Sequence, residues 1–351
     1  MYPIRVLSCE QTEKILDMKS VIADIEEVYS MKARNAGELF PLVFHEFEPG
    51  VADMDIKSGL LKDAGIFGLK LVSWYSGNPE KGMPPLTGTV MIFDLATGKP
   101  VGLLSAEHLT GMRTGAAGAI GAKYLAKKDA RNLLIVGAGH QAAYQIAACL
   151  TALDSIEKVC VYSPRSADGA INFTAKIKSR LTDEFLSRFE PGSADYNTIA
   201  EKFDVPFEAV TDIEAAVRAS DVIITATPSR KPLIQNEWVQ NGTHLSCIGS
   251  DMTGKQEIDE NIFPHAKVFV DDMTQAIEVG ECEIPLKKGV ISKASIIGEI
   301  GELICGYKKG RTSNDDVTIF DSTGIALQDL MTASHALKLA EEKNIGEVVD
   351  L

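Results

Sequence analysis

The sequence predicts an α/β protein organised on a doubly wound parallel sheet, and three observations predict it. The segment Asn132-Leu-Leu-Ile-Val-Gly137-Ala-Gly139-His140-Gln141-Ala142 reads as a buried strand, a tight turn and the start of a helix. Downstream of it, short apolar strands alternate with helical stretches, which is the pattern of a parallel sheet with crossover helices. The turn lies mid-chain in a sequence of 351 residues, which leaves room before it for a second domain.

The elements follow in order. Ile4–Ser8 reads as a short strand and Met18–Arg34 as an amphipathic helix. Leu39–His45 and Val51–Gly59 are strand-like, and Gly68–Trp74 is another strand, closed by the turn Tyr75-Ser-Gly-Asn78-Pro79. Alternating apolar residues over Thr87–Asp94 and Pro100–Ser105 predict a hairpin. Glu107–Ala126 is rich in small residues and helical. After the turn come a helix at Gln141–Leu153 and a strand at Lys158–Tyr162. The polar stretch Arg165–Phe207 is long for one crossover; it reads as one helix and a loop, a surface insertion whose role (residues 166–207) the sequence leaves unassigned. Ile213–Ala219 is helical; Asp221–Ala226, Thr243–Ile248, Val268–Asp271 and Ile319–Asp321 are strands; Gly324–Lys343 is a long amphipathic helix.

Charged residues make up 24% of the chain and hydrophobic ones 45%, as in ordinary globular proteins. The net charge of −14 argues against a nucleic-acid partner, because no basic stripe is present to neutralise phosphates. No apolar run reaches the length of a membrane span, and the first residues lack a signal-peptide pattern, so a cytoplasmic protein is expected. The six cysteines are scattered singly, which favours buried reduced thiols over a metal or redox motif; no metal is expected.

The turn itself carries chemistry. Gly137 permits the tight bend, Gly139 lets the backbone approach a pyrophosphate, and Ala142 allows close helix–strand packing. Phosphates would sit on free N–H groups at the helix start, including those of His140 and Gln141. The sequence therefore predicts a Rossmann-type dinucleotide site. At the end of the next strand, an acid would hold a ribose hydroxyl and an Arg a 2′-phosphate. The chain has Ser163-Pro164-Arg165-Ser166 there and no acid, which favours NADP(H) over NAD.

Three further segments set polar residues in apolar, glycine-rich surroundings. Lys70 lies within a buried-looking strand, and an unpaired buried ammonium is costly. Arg113, amid small residues at Thr110–Ala117, suits bidentate capture of a carboxylate or phosphate. Asp251 follows an apolar strand at the sheet end where open α/β folds place ligands, and is a candidate acid or base.

These pieces together resemble the ornithine cyclodeaminase/μ-crystallin family over nearly the full chain. The resemblance is carried by Gly68-Leu-Lys70, Asn78-Pro79, Met112-Arg113-Thr114-Gly115-Ala116-Ala117, the Gly137–Gly139 turn and Thr225-Ala-Thr227-Pro228. It continues through Gly249-Ser-Asp251 with Gly254-Lys255-Gln-Glu257-Ile258-Asp259, and Phe320-Asp-Ser322-Thr-Gly324-Ile-Ala326-Leu-Gln328-Asp329. It implies a Rossmann domain (126–317) and an α+β domain made from both chain ends (1–125 with 318–351) for substrate binding and dimerisation. It also implies that Lys70 and Arg113 hold a substrate carboxylate, that Lys70 moves a proton, and that Asp251 handles the substrate amine or water. Thr114, the 137–142 turn, Thr225, Ala226, Thr227 and Ser322 would surround the dinucleotide.

One departure stands out. The family often has an Arg in the early strand, where this chain reads Phe40-Pro-Leu-Val-Phe-His45-Glu46, and the following strand carries Lys57. Either Lys57 replaces the missing cation, or Asp55 and Lys57 together recognise a substrate other than ornithine; His45 is a candidate pocket residue, although a lone His is more often structural.

The resemblance implies an NAD(P)-dependent enzyme acting at the α-carbon of an amino or imino acid. One form is a cyclodeaminase turning L-ornithine into L-proline and ammonia with the cofactor regenerated. The alternative is an imine or ketimine reductase, or an amino-acid or opine-type dehydrogenase, that consumes NAD(P)H. A non-enzymatic nucleotide-binding protein is the remaining reading, and the joint presence of Lys70, Arg113 and Asp251 argues against it. At least a homodimer is expected.

Overall fold

The computed structural model describes residues 2–351, and the chain forms two compact units. One unit contains the residues up to Leu16, Ala23–Arg113 and Ile325–Leu351; the other contains Asp17–Ile22 and Thr114–Gly324.

The first unit holds an eight-stranded sheet. Its strands are β1 (Pro3–Leu7), β2 (Gly37–Leu39), β3 (Val43–Glu48), β4 (Ala52–Leu61), β5 (Ile66–Tyr75), β6 (Leu86–Asp94), β7 (Pro100–Ser105) and a C-terminal strand, Glu347–Asp350. The order is C-terminal strand, β1, β7, β6, β5, β4, β2, with β3 also paired to β4. β1 and β7 run parallel; the other pairs are antiparallel. Helix α1 (Cys9–Ile15) starts at Ser8, whose hydroxyl accepts from Gln11 N while Gln11 Oε1 accepts back from Ser8 N. Helix α2 (Met18–Ala33) follows.

The C-terminal helix Ala326–Glu342 lies on one face of this sheet, and glycines make the close approach possible. A Cβ at Gly68 would stand 2.3 Å from Met91 O and 2.9 Å from Leu330 Cδ2, and one at Gly102 would stand 2.3 Å from Leu337 Cδ1. Side chains alternate along a strand, so Lys70 points to the same face as Gly68, toward that helix. Lys57 is its cross-strand partner on that face.

The second unit is a parallel eight-stranded sheet in the order β10, β9, β8, β11, β13, β17, β15, β16. These strands are β8 (Asn132–Val136), β9 (Lys158–Tyr162), β10 (Phe207–Val210), β11 (Val222–Thr225), β13 (His244–Cys247), β15 (Ala266–Val270), β16 (Ile296–Glu299) and β17 (Val317–Asp321). β12 (Arg230–Ile234) and β14 (Gln256–Ile258) form a separate two-stranded parallel ribbon. The central strands are buried on both faces, as doubly wound sheets require; β8 and β11 read as nearly continuous apolar runs, while β13 buries His244 and Ser246 among its apolar residues. Helix α3 (Ala106–Leu125) leads into β8, and α4 (His140–Ala152) follows the glycine turn.

One expectation is corrected here. The stretch after β9 is no surface insertion: α5 (Ala167–Arg180) continues through a wide turn and α6 (Ala194–Phe203) brings the chain to β10. Phe173, Ile177, Leu181, Phe185, Ile199 and Phe203 are all buried, so this is a crossover in two helices. β17 lies between β13 and β15 and so belongs to the parallel sheet, in the unit that runs from Thr114 to Gly324. No described helix is long and apolar enough to cross a membrane.

Candidate active site

The first candidate feature is a cleft in the parallel-sheet unit, of about 270 Å³. Its floor is the turn Gly137–Gly139; one wall is Ser163–Ser166 after β9, and the other is Ala226–Pro228 after β11. Gly137 has φ +119°, a left-handed conformation that a side chain would strain, and a Cβ there would meet Ala226 O at 2.6 Å. A Cβ on Gly139 would meet nothing within 4 Å, so the open side of the turn is a cradle. Gly139 also caps α4 without a side-chain bond, which leaves the helix N–H groups for a ligand.

Two buried polar atoms near the start of α4 lack partners: Gln141 Oε1, on the helix itself, and Thr114 Oγ1, whose own carbonyl accepts from Gln145 Nε2 of that helix. Buried polar atoms are normally satisfied, so these two fit a bound polar group. The residues present therefore suit a dinucleotide pyrophosphate. His140 is exposed, with its ring 5.2 Å from that of Tyr144. Ser166 Oγ accepts from Gly169 N and so caps α5, while Arg165 is exposed at the cleft wall.

Two residues expected at the cofactor have other work for their side chains. Thr225 is fully buried and donates to Glu257 Oε2 at 2.7 Å. Ser322 is 4% exposed and donates to Asp271 Oδ2 at 3.0 Å. Ala226 and Thr227, expected beside them, do line the cleft.

The second feature is a charged cluster inside the first unit. Lys70 and Arg113 are 3% and 7% exposed, and both meet Asp329 of the C-terminal helix, which is fully buried. Lys70 Nζ stands 3.0 Å from Asp329 Oδ1 and 2.9 Å from Oδ2. Arg113 Nε donates to Oδ1 at 3.0 Å, and Nη1 donates to Gln328 Oε1 at 3.2 Å. Gln328 Nε2 in turn donates to the Tyr29 hydroxyl at 2.6 Å. A Lys carries three donors and an Arg five, so one carboxylate and one amide use only part of the supply. The remainder suits an incoming carboxylate.

Electrostatics sharpen this. Burial, together with the Arg113 charge, pulls the Lys70 ammonium down to about 8; Asp329 opposes that shift and Lys57 adds to it. Burial pushes the Asp329 carboxyl up, but the Arg113 and Lys70 charges outweigh it and hold it below its ordinary value. The cluster thus keeps a lysine able to hold or release a proton near neutral pH.

His45 does not belong to this face. It pairs with Met54, while Lys57 pairs with Lys70; Met54 and Lys57 are three residues apart and point to opposite sides of the sheet. The pleat thus sets His45 on the other face, where its ring stands 5.2 Å from that of Phe47.

Asp251 lies after β13 in the parallel-sheet unit. Its carboxylate is half exposed and ion-paired with Lys255. Lys255 is much more buried, 15% exposed against 48%, so the loop presents the acid and keeps the base beneath. The residues missed by sequence reasoning are Asp329, Gln328 and Tyr29. Asp329 sits beside Gln328 at the start of a helix with mixed polarity, where a carboxylate reads as an ordinary favourable first-turn charge.

A doubly wound parallel sheet with a glycine turn and a phosphate cradle defines the dinucleotide-binding class of α/β proteins. The model of the ornithine cyclodeaminase/mu-crystallin family matches residues 4–183 and 186–344, and the chain belongs to that family. It is 35% identical over 344 residues to an alanine dehydrogenase of Archaeoglobus fulgidus, covering 98% of this chain and 97% of the relative. It is 32% identical over 346 residues to an iminosuccinate reductase of Paracoccus denitrificans, covering 99% of both. Among solved structures, an archaeal alanine dehydrogenase dimer with bound NAD superposes with a TM-score of 0.88 at 34% identity, covering 100% of both chains.

Proposed function

We propose that the chain is an NAD(P)H-dependent oxidoreductase that exchanges hydride at the α-carbon of a small amino or imino acid. The buried Lys70–Asp329–Arg113 cluster carries this reading. Two cations share one carboxylate in a dry interior, an arrangement that is costly as mere structure and useful as a carboxylate receptor. Lys70 and Arg113 bind the substrate carboxylate, with Lys57 adding positive charge on the same sheet face. Lys70 holds or releases the proton that the substrate nitrogen gains or loses. Asp251, ion-paired with Lys255, accepts a proton from the amine or from water. The dinucleotide, when bound, supplies or takes the hydride.

Redox turnover in one direction is preferred to a redox-neutral cyclisation, because the two relatives described above, each more than 30% identical over nearly the whole chain, carry the names of a dehydrogenase and a reductase. The cofactor wall favours NADPH: Ser163, Arg165 and Ser166 line it and no carboxylate does. The protein acts as a homodimer through the exposed apolar residues around β3, among them Phe44 and Phe47.

The test is oxidation of NADPH and NADH with three partners: pyruvate plus ammonia, oxaloacetate plus ammonia, and a five-membered cyclic imino acid. Stoichiometric oxidation with any of them supports the reading. Proline formed from L-ornithine with substoichiometric NAD⁺ replaces it with the cyclodeaminase reading, and inactivity on all four sinks both.

A further inference from the structure

Behind the cleft wall lies a row of buried acids. Glu257 of β14 is 0% exposed, and its two oxygens accept four hydrogen bonds. Oε1 takes Thr227 N and Thr227 Oγ1, both at 2.7 Å. Oε2 takes Thr225 Oγ1 at 2.7 Å and Gly249 N at 2.8 Å. One carboxylate thus fixes the end of β11, the wall Ala226–Pro228 and the start of the loop that carries Asp251. The packing is tight: a Cβ on Gly249 would stand 2.2 Å from Thr227 O. The wall in turn supports the glycine turn, because Ala226 N donates to Val136 O at 2.9 Å.

Glu281, 1% exposed, stands next in the row. Its Oε1 accepts from Glu257 N and Ile258 N, both at 2.8 Å, while its Oε2 is buried without a partner. Asp321 of β17 shows the same asymmetry: Oδ2 accepts from Cys282 N at 2.9 Å and Oδ1 is buried without a partner. An ionised carboxylate with an unpartnered buried oxygen is costly, and protonation removes the buried charge, leaving only the smaller cost of an unpartnered hydroxyl. Burial pushes the Glu257 carboxyl up as well, but four hydrogen bonds oppose that shift, two of them from backbone N–H groups that can only donate. Glu281 receives only two, so the proton of the Glu257–Glu281 pair is assigned to Glu281.

We propose that Glu257 is a positioning residue for the cofactor wall, acting as an ionised four-bond acceptor, and that Glu281 behind it stays protonated so that this buried charge is tolerated. The proposal rests on the reading that the cleft holds a dinucleotide. Burial, followed by the charges of Glu257 and Asp321, pushes the Glu281 carboxyl well up, in keeping with it. The other titratable groups packed here are the Cys247 and Cys282 thiols, which burial pushes up, and Asp271, whose charge acts on Asp321.

The experiment is fluorescence titration of NADH and NADPH into the native protein, Glu257→Gln, Glu281→Gln and Thr225→Val, at several pH values. Glu257→Gln sets an amide N–H against a backbone N–H and is expected to weaken binding about tenfold or more. Thr225→Val removes one donor without touching the cleft lining and is expected to weaken it about threefold. Glu281→Gln mimics the neutral acid, so it is expected to bind within about twofold of native and to gain stability relative to native as pH rises. Native-like binding by Glu257→Gln overturns the positioning role. Weakening by Glu281→Gln as large as that of Glu257→Gln overturns the protonated assignment. If Glu257→Gln does not fold, the other two variants decide by the same measures. Native protein that binds neither dinucleotide shows instead that the functional reading has failed.

Discussion

At the scale of single residues, the proposed chemistry turns on Lys70, and its neighbours set the proton affinity of Lys70. Its ammonium is drawn down to about 8 by burial and by Arg113, against the pull of Asp329. A base whose folded value is depressed contributes stability above its unfolded value of 10.5, and that contribution is lost as pH falls through about 8. A charged Lys70 at neutral pH is therefore held at a cost, and its proton is available. If the protonated form binds substrate, kcat/KM of the native protein falls as pH rises through about 8. Asp329→Asn is expected to move that limb to lower pH, because it removes the charge that favours the ammonium. Lys57→Gln is expected to move it to higher pH, because it removes a repelling charge. Limbs that stay in place in both variants show that another group titrates. Lys70 and Arg113 were legible in the sequence because each is a lone cation in an apolar, glycine-rich stretch. Asp329 was not, since only the register of β5 against the C-terminal helix brings its carboxylate to them.

Elements were legible in proportion to their length and pattern. The glycine turn, the hairpin of β6 and β7, and the long helices all announce themselves through period or punctuation. β10, β12, β14, β16 and the C-terminal strand are too short to show a period. In the crossover after β9, the four-residue spacing of Phe173, Ile177, Leu181 and Phe185 is a true helical stripe, diluted by polar residues until packing reveals it. Two predictions belong at this scale. Gly68→Ala drives a Cβ toward Met91 O and Leu330, so β5 must part from β6 or from the helix above. A loss of about 1–3 kcal/mol in chemical denaturation is expected, and a neutral result shows that the helix can shift. Asp321, at the end of β17, is raised from 3.8 to about 7, first by burial. A raised acid contributes stability below its unfolded value and loses it as pH rises through the folded one. Asp321→Asn is therefore expected to flatten the fall in melting temperature between pH 3.8 and about 7. An unchanged slope assigns the titration elsewhere.

The molecule as a whole exposes apolar surface that no described element of the chain covers. β3 is exposed along all six of its residues, and Phe44 and Phe47 point to opposite faces of its ribbon. Phe40, Leu42 and Val43 precede them, Tyr75 stacks on Phe47 with ring centroids 6.1 Å apart, and Met83 and Leu86 are also exposed. Scattered exposed hydrophobics are ordinary, but this many in one stretch of sheet mark an interaction surface. A strand exposed on both faces gains little from its own fold, so its order calls for a partner. The proposed homodimer would use this patch, a two-fold axis setting it against its copy. Phe47→Glu would place a charge in each half of such an interface, where unpaired burial is prohibitive. Sedimentation velocity should then show dimer for the native protein and monomer for the variant, with the far-UV spectrum largely kept. The Lys70 cluster lies in the same unit but on the face that the C-terminal helix covers, away from His45 and Phe47. NAD(P)H binding by the parallel-sheet unit should therefore survive in the monomer, and its loss would mean that the cleft needs the second subunit to form.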